Sequence, residues 1–204
     1  MHFTLTDLII DISQNGIESG ADLLELSVSE TTDTQGKNIF RFTVKDNGRG
    51  MSYDELILAK DPFVTNGIKH PNRKVGLGIP FLIQTAESSG GGWNMDSKKG
   101  EGAPETGSSV HGTEISAWFD LDNVDTPPVG DIPGLFRTVL LFDGPGEILI
   151  RRQCNREAGD PENSHNYEIR KSELSEVLGG LEDAQSLILL DQYLRSLEES
   201  GDEQ

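Results

Sequence analysis

An α+β fold is what the sequence predicts, and three observations carry it. A helical period opens the chain, strand-like runs follow as neighbours joined by turn-rich stretches, and helical runs return towards the end.

Residues 4–20 read as a helix, because a Thr or Asp start signal precedes Leu5, Leu8, Ile9 and Ile12 at helical spacing and Gly20 stands near the end. At about 100° per residue, Asp11, Asn15, Glu18 and Asp22 fall in a polar stripe roughly 60° wide beside that apolar face. Strand-like runs cover 23–30 and 38–45, with the turn-rich stretch 31–37 between them. The second runs into Asp46-Asn47-Gly48-Arg49-Gly50-Met51, where the chain must turn sharply. A short helical stretch over 54–60 is followed by a loop over 61–74 with little hydrophobic period. Gly76-Leu77-Gly78-Ile79-Pro80 then opens a helix over 81–86, and Pro80 suits a first turn because its missing N–H has no helical partner there.

Glycines at 90–92 and the Gly-, Ser- and Glu-rich stretch 99–112 flank two hairpin strands, 93–97 and 113–119. From Asp125 the texture changes: Pro127, Pro128 and Pro133 mark a connection. Strands over 147–153 and 166–170 and helices over 135–142, 173–178 and 184–197 follow. The expected organisation is a first domain over 1–124, a C-terminal α/β extension over 125–199, and a disordered acidic tail over 200–204. No internal repeat is visible.

A chain of 204 residues is long enough for a proper core but short for two full domains. The balance of 17 basic against 35 acidic side chains, a formal charge of -18, argues against nucleic acid or an acidic membrane as the main partner. A basic, catalytic or regulatory protein fits such a surface better, although high acidity also serves solubility. Cys154, the single cysteine, has no partner for a disulfide and no ligand set around it. With no basic-then-apolar leader and no apolar run of about 18 residues, the expectation is a reduced, cytoplasmic, soluble protein.

Asp11-x-x-x-Asn15 on a helix, Asp46-x-Gly48-x-Gly50 at a strand end about 30 residues later, Gly76-x-Gly78 at a helix start and Gly112-Thr113 entering a late strand are each common turns or caps alone. Their order carries the inference. The segment Asp11 to Ala21 resembles the N box of the GHKL ATP-binding domains, the group of gyrase, heat-shock chaperones, histidine kinases and MutL. Asp46 to Met51 resembles its G1 box, Val75 to Pro80 its G2 box, and Gly112-Thr113 its last box. Asp61-Pro62-Phe63-Val64-Thr65 resembles the motif before the ATP lid of histidine kinases. The likeness spans about residues 5–119 and extends to small stand-alone bacterial proteins of histidine-kinase type.

The resemblance implies the Bergerat fold, a two-layer α/β sandwich whose mixed, mostly antiparallel sheet carries helices on one face, with ATP held between helices and lid. It implies roles that suit the residue types. Asp46 accepts the exocyclic amine hydrogen of adenine, with Gly48, Gly50 and Met51 beside it and Thr113 supporting that end; a guanine carbonyl is rejected. Asn15 supplies an oxygen to magnesium, which prefers oxygen ligands and keeps several waters. Gly76, Leu77, Gly78 and Ile79 offer backbone N–H groups and a helix start to phosphate, with no Lys-Ser or Lys-Thr pair of a Walker loop. Phe63, Thr65, Lys69, Arg73 and Lys74 belong to the lid; from Lys60 to Lys74 four basic residues face Asp61 alone, a local island that attracts phosphate.

Asp11 stands where many relatives have a glutamate that orients or deprotonates the attacking group. Its shorter reach matters for a proton transfer that needs contact of roughly 2.6 to 3.2 Å. Glu18 matches a further acidic position, either holding waters or a lid residue or simply solvated. Three outcomes follow: a nucleotide-switched regulator with slow hydrolysis, a serine or histidine protein kinase in the manner of the anti-sigma kinases, or a module that binds ATP without turnover. A complete sensor kinase is not expected, since the N box begins too near the start for a preceding helical hairpin. His2, His70, His111 and His165 read as ordinary exposed histidines. The acidic residues after 180, opposed only by Arg195, fit either a partner-facing helix or a solvated face. The protein partner and the oligomeric state are left open.

Overall fold

The computed structural model describes residues 4–61, 77–100, 111–155 and 164–199. Helix α1 (Leu5–Glu18) starts in a reciprocal capping box: Thr4 Oγ1 accepts the Asp7 N–H at 3.2 Å while Asp7 Oδ2 accepts the Thr4 N–H at 2.9 Å. It stops at Ser19, where Gly20 takes φ +79°. Strands β1 (Leu23–Thr32) and β2 (Asn38–Asp46) form the first hairpin. Helix α2 (Tyr53–Lys60), capped by Ser52 and Glu55, and helix α3 (Gly78–Ser88) lead to β3 (Gly92–Lys98) and β4 (Gly112–Asp120). Helix α4 (Ile132–Leu140), β5 (Glu147–Asn155), β6 (Ser164–Arg170), α5 (Lys171–Leu178) and α6 (Ala184–Glu199) complete the order.

The six strands form one sheet in the order β3-β4-β2-β1-β5-β6, antiparallel except for the β1–β5 pair. This is the mixed, mostly antiparallel sheet of the expected α+β sandwich. The segment after residue 124 enters the same sheet through β5, which runs beside β1 from Leu23↔Glu147 onwards.

Period-2 alternation sends one set of side chains inward: Leu24, Leu26 and Val28 from β1, Phe40, Phe42 and Val44 from β2, Ile115, Ala117 and Phe119 from β4. They meet Leu5, Leu8, Ile9 and Ile12 of α1, Leu82 and Ala86 of α3, and Leu135, Phe136 and Val139 of α4 in one continuous core. Phe119 lies 6.3 Å, centroid to centroid, from both Phe40 and Phe42. The opposite face is polar and tied by charge: Arg151 reaches Glu25 at 2.9 Å and Glu168 at 3.0 Å, and Arg41 lies 4.8 Å over the Trp118 ring. Among the described residues, no helix is long and apolar enough to cross a membrane.

Several expectations change. α4 begins three residues before the expected 135 because Pro133 sits in its first turn, where a missing N–H costs nothing. α3 likewise starts at Gly78, ahead of Pro80. Asp22 leaves the polar stripe, since the helix ends before it; its Oδ1 accepts the Gly146 N–H at 3.3 Å and its carbonyl the Glu147 N–H at 2.9 Å, joining β1 to β5. His165 is a half-buried β6 residue, not a loop residue, with Nε2 3.3 Å from Glu198 Oε2.

That histidine belongs to an ionic cluster far along β1 from its first residue. The buried Arg152 guanidinium meets Glu30 at 2.6 Å and Glu198 at 3.1 Å, and the Tyr167 hydroxyl donates to Glu198. Burial pushes the Glu198 carboxyl up, but Arg152 and then Tyr167 outweigh it, so it lies below the ordinary carboxylate range.

The aromatic contact across β2 and β4 gives a direct test of the core. Phe119→Ala is expected to cost about 3–5 kcal/mol of unfolding free energy, read from urea denaturation, through lost burial and a partly collapsed cavity.

Candidate functional site

One end of β2 and the middle of α1 build the site. Asp46 closes β2 opposite Leu24 of β1 and Thr113 of β4, and it is 8% exposed. Its Oδ1 accepts the Gly48 N–H at 2.9 Å and the Ser19 hydroxyl at 3.1 Å. Burial drives its pKa up, and hydrogen bonds from Gly48, Ser19 and the Thr113 backbone, with the field of His111, only partly offset this.

The glycines are required by close approach. A Cβ at Gly16 would sit 2.9 Å from Leu24 Cδ1 and 3.3 Å from Asp46 Cβ, so α1 meets the sheet end at this position. At Gly50, with φ +63°, a Cβ would lie 1.9 Å from the Lys98 carbonyl oxygen.

The turn 46–51 is clamped from several sides. Asn47 Oδ1 accepts the N–H groups of Asp22 and Leu23 at 2.9 and 2.8 Å, and the Arg49 N–H reaches the Ser19 carbonyl at 3.2 Å. Glu55 on α2 holds Arg49 at 3.3 Å and Lys99 at 3.0 Å. The Met51 N–H donates to Ser97 Oγ at 2.8 Å, and that oxygen lies 2.9 Å from Thr113 Oγ1. His111 Nδ1 is 2.7 Å from the Gly48 carbonyl; a carbonyl only accepts, so Nδ1 carries the hydrogen.

The second half of the site is the start of α3. Leu77 occupies its N-cap with no side-chain cap, leaving the Gly78 and Ile79 N–H groups without helical partners. A Cβ at Gly78 would stand 3.6 Å from Asp11 Oδ2 and 3.7 Å from Asn15 Nδ2. Among the described residues this helix start has no side-chain cap, and its positive dipole end abuts a carboxylate and an amide projecting from α1.

Of the residues singled out by sequence, the structure brings Asp11 and Asn15 to Gly78, and Asp46 with Gly48 to the same helix at Gly16 and Ser19. Gly50, Met51 and Thr113 line the Asp46 side through the Lys98 and Ser97 contacts. Leu77 is exposed and Ile79 packs partly on the core. Glu18 is exposed and accepts from Gln14 Nε2 at 3.4 Å. Phe63, Thr65, Lys69, Arg73, Lys74 and Gly76 lie outside the described residues; Lys60, at the edge of the basic island, lies 5.1 Å over the Trp93 ring. Sequence reasoning missed Ser19, Asn47, Ser97 and His111. Ser19 had a signal, one turn beyond Asn15 on the same side of α1; Ser97 had none.

Among the described residues, no group of three or more His, Cys, Asp or Glu side chains could cage a metal ion. The donor set is instead one amide beside a helix start, which would fit a hard cation that arrives with ligand oxygens and its own waters.

A family model described as histidine kinase-, DNA gyrase B-, and HSP90-like ATPase matches residues 3–123. No curated protein matches the chain.

A carboxyl whose folded pKa is raised stabilises the fold fully only below its unfolded value, and that contribution is lost as pH rises through the folded value. Ionisation of Asp46 therefore weighs against folding. Asp46→Asn should melt no lower than the wild type near neutrality in the absence of ligand, and its advantage should shrink on acidification. A lower melting temperature with the same gap at every pH contradicts this.

Proposed function

The chain belongs to the histidine kinase-, DNA gyrase B- and HSP90-like ATPases, and on that footing we propose that it binds ATP with magnesium, hydrolyses it slowly, and acts as a nucleotide-switched regulator of a protein partner. The observation behind this reading is the meeting of three separate stretches on α1: Gly78 against Asp11 and Asn15, and Asp46 against Gly16 and Ser19.

In this reading Asp46 accepts the exocyclic amine hydrogen of adenine, and the glycines at 48 and 50 let the base approach the backbone. Thr113, fixed through Ser97, borders the base. The Gly78 and Ile79 N–H groups and the start of α3 take phosphate oxygens. Asn15 turns its amide oxygen to the cation; the two ends of an amide exchange by a half-turn, so the Nδ2 nearest Gly78 is not a barrier. A magnesium ion held through Asn15 and the triphosphate oxygens would supply charge neutralisation for the phosphates.

Asp11, exposed on α1 and next to the phosphate end, orients or deprotonates the attacking water. Its position one turn before Asn15 puts base and cation ligand on one helical edge. The formal charge of -18 suits a basic protein surface as the partner that senses the bound nucleotide.

Two measurements test the reading. In titration calorimetry, ATP with magnesium should bind in the micromolar range. Asp46→Ala should weaken it by about 10- to 150-fold, the worth of a hydrogen bond to a charged group, and Asn15→Ala should remove the magnesium dependence. Undiminished binding by Asp46→Ala contradicts the assignment. In a sensitive phosphate-release assay, metal-dependent release should be lost in Asp11→Asn; equal release by both proteins removes Asp11 from the chemistry, and label appearing on a copurifying protein makes the chain a protein kinase.

A further inference from the structure

We propose that Ser19 keeps the purine preference of the site constant as pH falls, by keeping the Asp46 proton, when the carboxyl carries one, on Oδ1 and so leaving Oδ2 as an acceptor in both protonation states. This rests on the ATP reading and adds to it the residue that fixes the accepting state of the base reader.

Ser19 Oγ lies 3.1 Å from Asp46 Oδ1 and 2.7 Å from the Gly16 carbonyl oxygen. A hydroxyl has one hydrogen, a carbonyl has none, and an ionised carboxylate has none. With Asp46 ionised, one hydrogen therefore serves two acceptors. A proton on Oδ1 resolves the shortage: Oδ1–H donates to Ser19 Oγ, Oγ–H donates to the Gly16 carbonyl, and the Gly48 N–H still reaches Oδ1 at 2.9 Å. A proton on Oδ2 leaves the shortage in place. The Gly48 and Ser19 bonds both end on Oδ1, while the Thr113 backbone bears on the carboxyl as a whole, so Oδ2 is the oxygen assigned to the base.

Local backbone chemistry is arranged around this relay. A Cβ at Gly48 would stand 1.6 Å from Ser19 Oγ and 2.7 Å from Ser19 Cβ, so any side chain there would expel the hydroxyl. A Cβ at Gly16 would stand 3.5 Å from Asp46 Oδ2, which packs that oxygen against bare helix backbone. Burial also favours the protonated carboxyl, so the position of its proton bears on the site as pH falls. The other groups bearing on Asp46 are the backbones of Gly48 and Thr113 and the His111 ring.

The consequence is chemical selectivity. With Oδ2 accepting in both protonation states, it takes the amine hydrogen at purine C6 and repels a carbonyl there. Without the serine hydroxyl, a protonated Asp46 can turn Oδ2–H towards a C6 carbonyl. Ser19 acts through Asp46 and is thus a positioning residue.

The probes are ATP and ITP, which differ at C6, titrated with magnesium into the full chain at neutral pH and in steps below it down to the acid limit of the folded protein. Wild type should hold a constant ratio of ATP to ITP affinity. In Ser19→Ala the ratio should shrink by about 2- to 10-fold on the acid side alone, the worth of one ordinary hydrogen bond, with ITP gaining as pH falls. Ser19→Thr, which keeps the hydroxyl, should restore the constant ratio. The series is repeated on His111→Gln, so that an acid-side change reports the carboxyl and not the imidazole. If Ser19→Ala does not fold, Ser19→Cys, with its weak S–H donor, replaces it under the same criterion. An unchanged ratio in the variant, a loss equal for both nucleotides at every pH, or a threonine variant that binds ATP without restoring the ratio overturns the proposal. Wild type that binds neither nucleotide instead sinks the ATP reading itself.

Discussion

The close approach of α1 to the end of the sheet at Gly16 is the constraint on which the rest depends. A Cβ at this position would crowd Leu24 Cδ1 at 2.9 Å and Asp46 Cβ at 3.3 Å, so the helix axis and the end of β2 are set close together. The same helix then performs two tasks. Leu5, Leu8, Ile9 and Ile12 hold it to the core, while Asp11 and Asn15 on its other edge face the start of α3. A helix pinned in this way converts hydrophobic burial into the positioning of polar groups, with each turn of about 5.4 Å setting the spacing between the Asp46 end and the Gly78 end.

The molecule handles buried charge in two contrasting ways. Glu30 and Glu198 meet the guanidinium of Arg152, and Glu198 also takes the Tyr167 hydroxyl, so these carboxylates sit among compensating donors. Such a cluster joins β1, β5, β6 and α6 and uses its charges on one another. Among the described residues, Asp46 has the neutral donors of Gly48, Ser19 and Thr113 and the field of His111 around it, and burial wins over them. A carboxyl kept in an unfavourable setting by surrounding packing is the pattern expected of a functional group, because the missing stabilisation is available for a ligand to supply.

Rigidity around Asp46 follows from redundancy. Asn47 grips the start of β1, Glu55 draws in Arg49 and Lys99, and Ser97 links Met51 to Thr113, so the turn is held by elements from both sides of the sheet. None of these ties is strong alone, since exposed ion pairs and single neutral hydrogen bonds contribute about 1 kcal/mol or less. Together they leave the glycine-rich turn one backbone path, and a site so preorganised loses less entropy on binding.

Local chemistry made much of this legible in the sequence. Helical spacing marked α1, alternation marked β1, β2 and β4, and the order of the Asn15, Asp46, Gly78 and Thr113 motifs pointed to one family of nucleotide binders, because each of those signals is written within a few consecutive residues. Contacts between residues distant in the chain were not legible. No local pattern says that β5 will lie parallel to β1, that Asp22 will leave the helix to tie those strands together, that His165 will sit beside Glu198, or that Ser19 will reach a carboxylate 27 residues away. The residue types and their motifs were determined by sequence alone; which hydroxyl faces which carboxylate was decided only by tertiary packing, since that depends on how closely two backbones can approach once a whole core has set their distance.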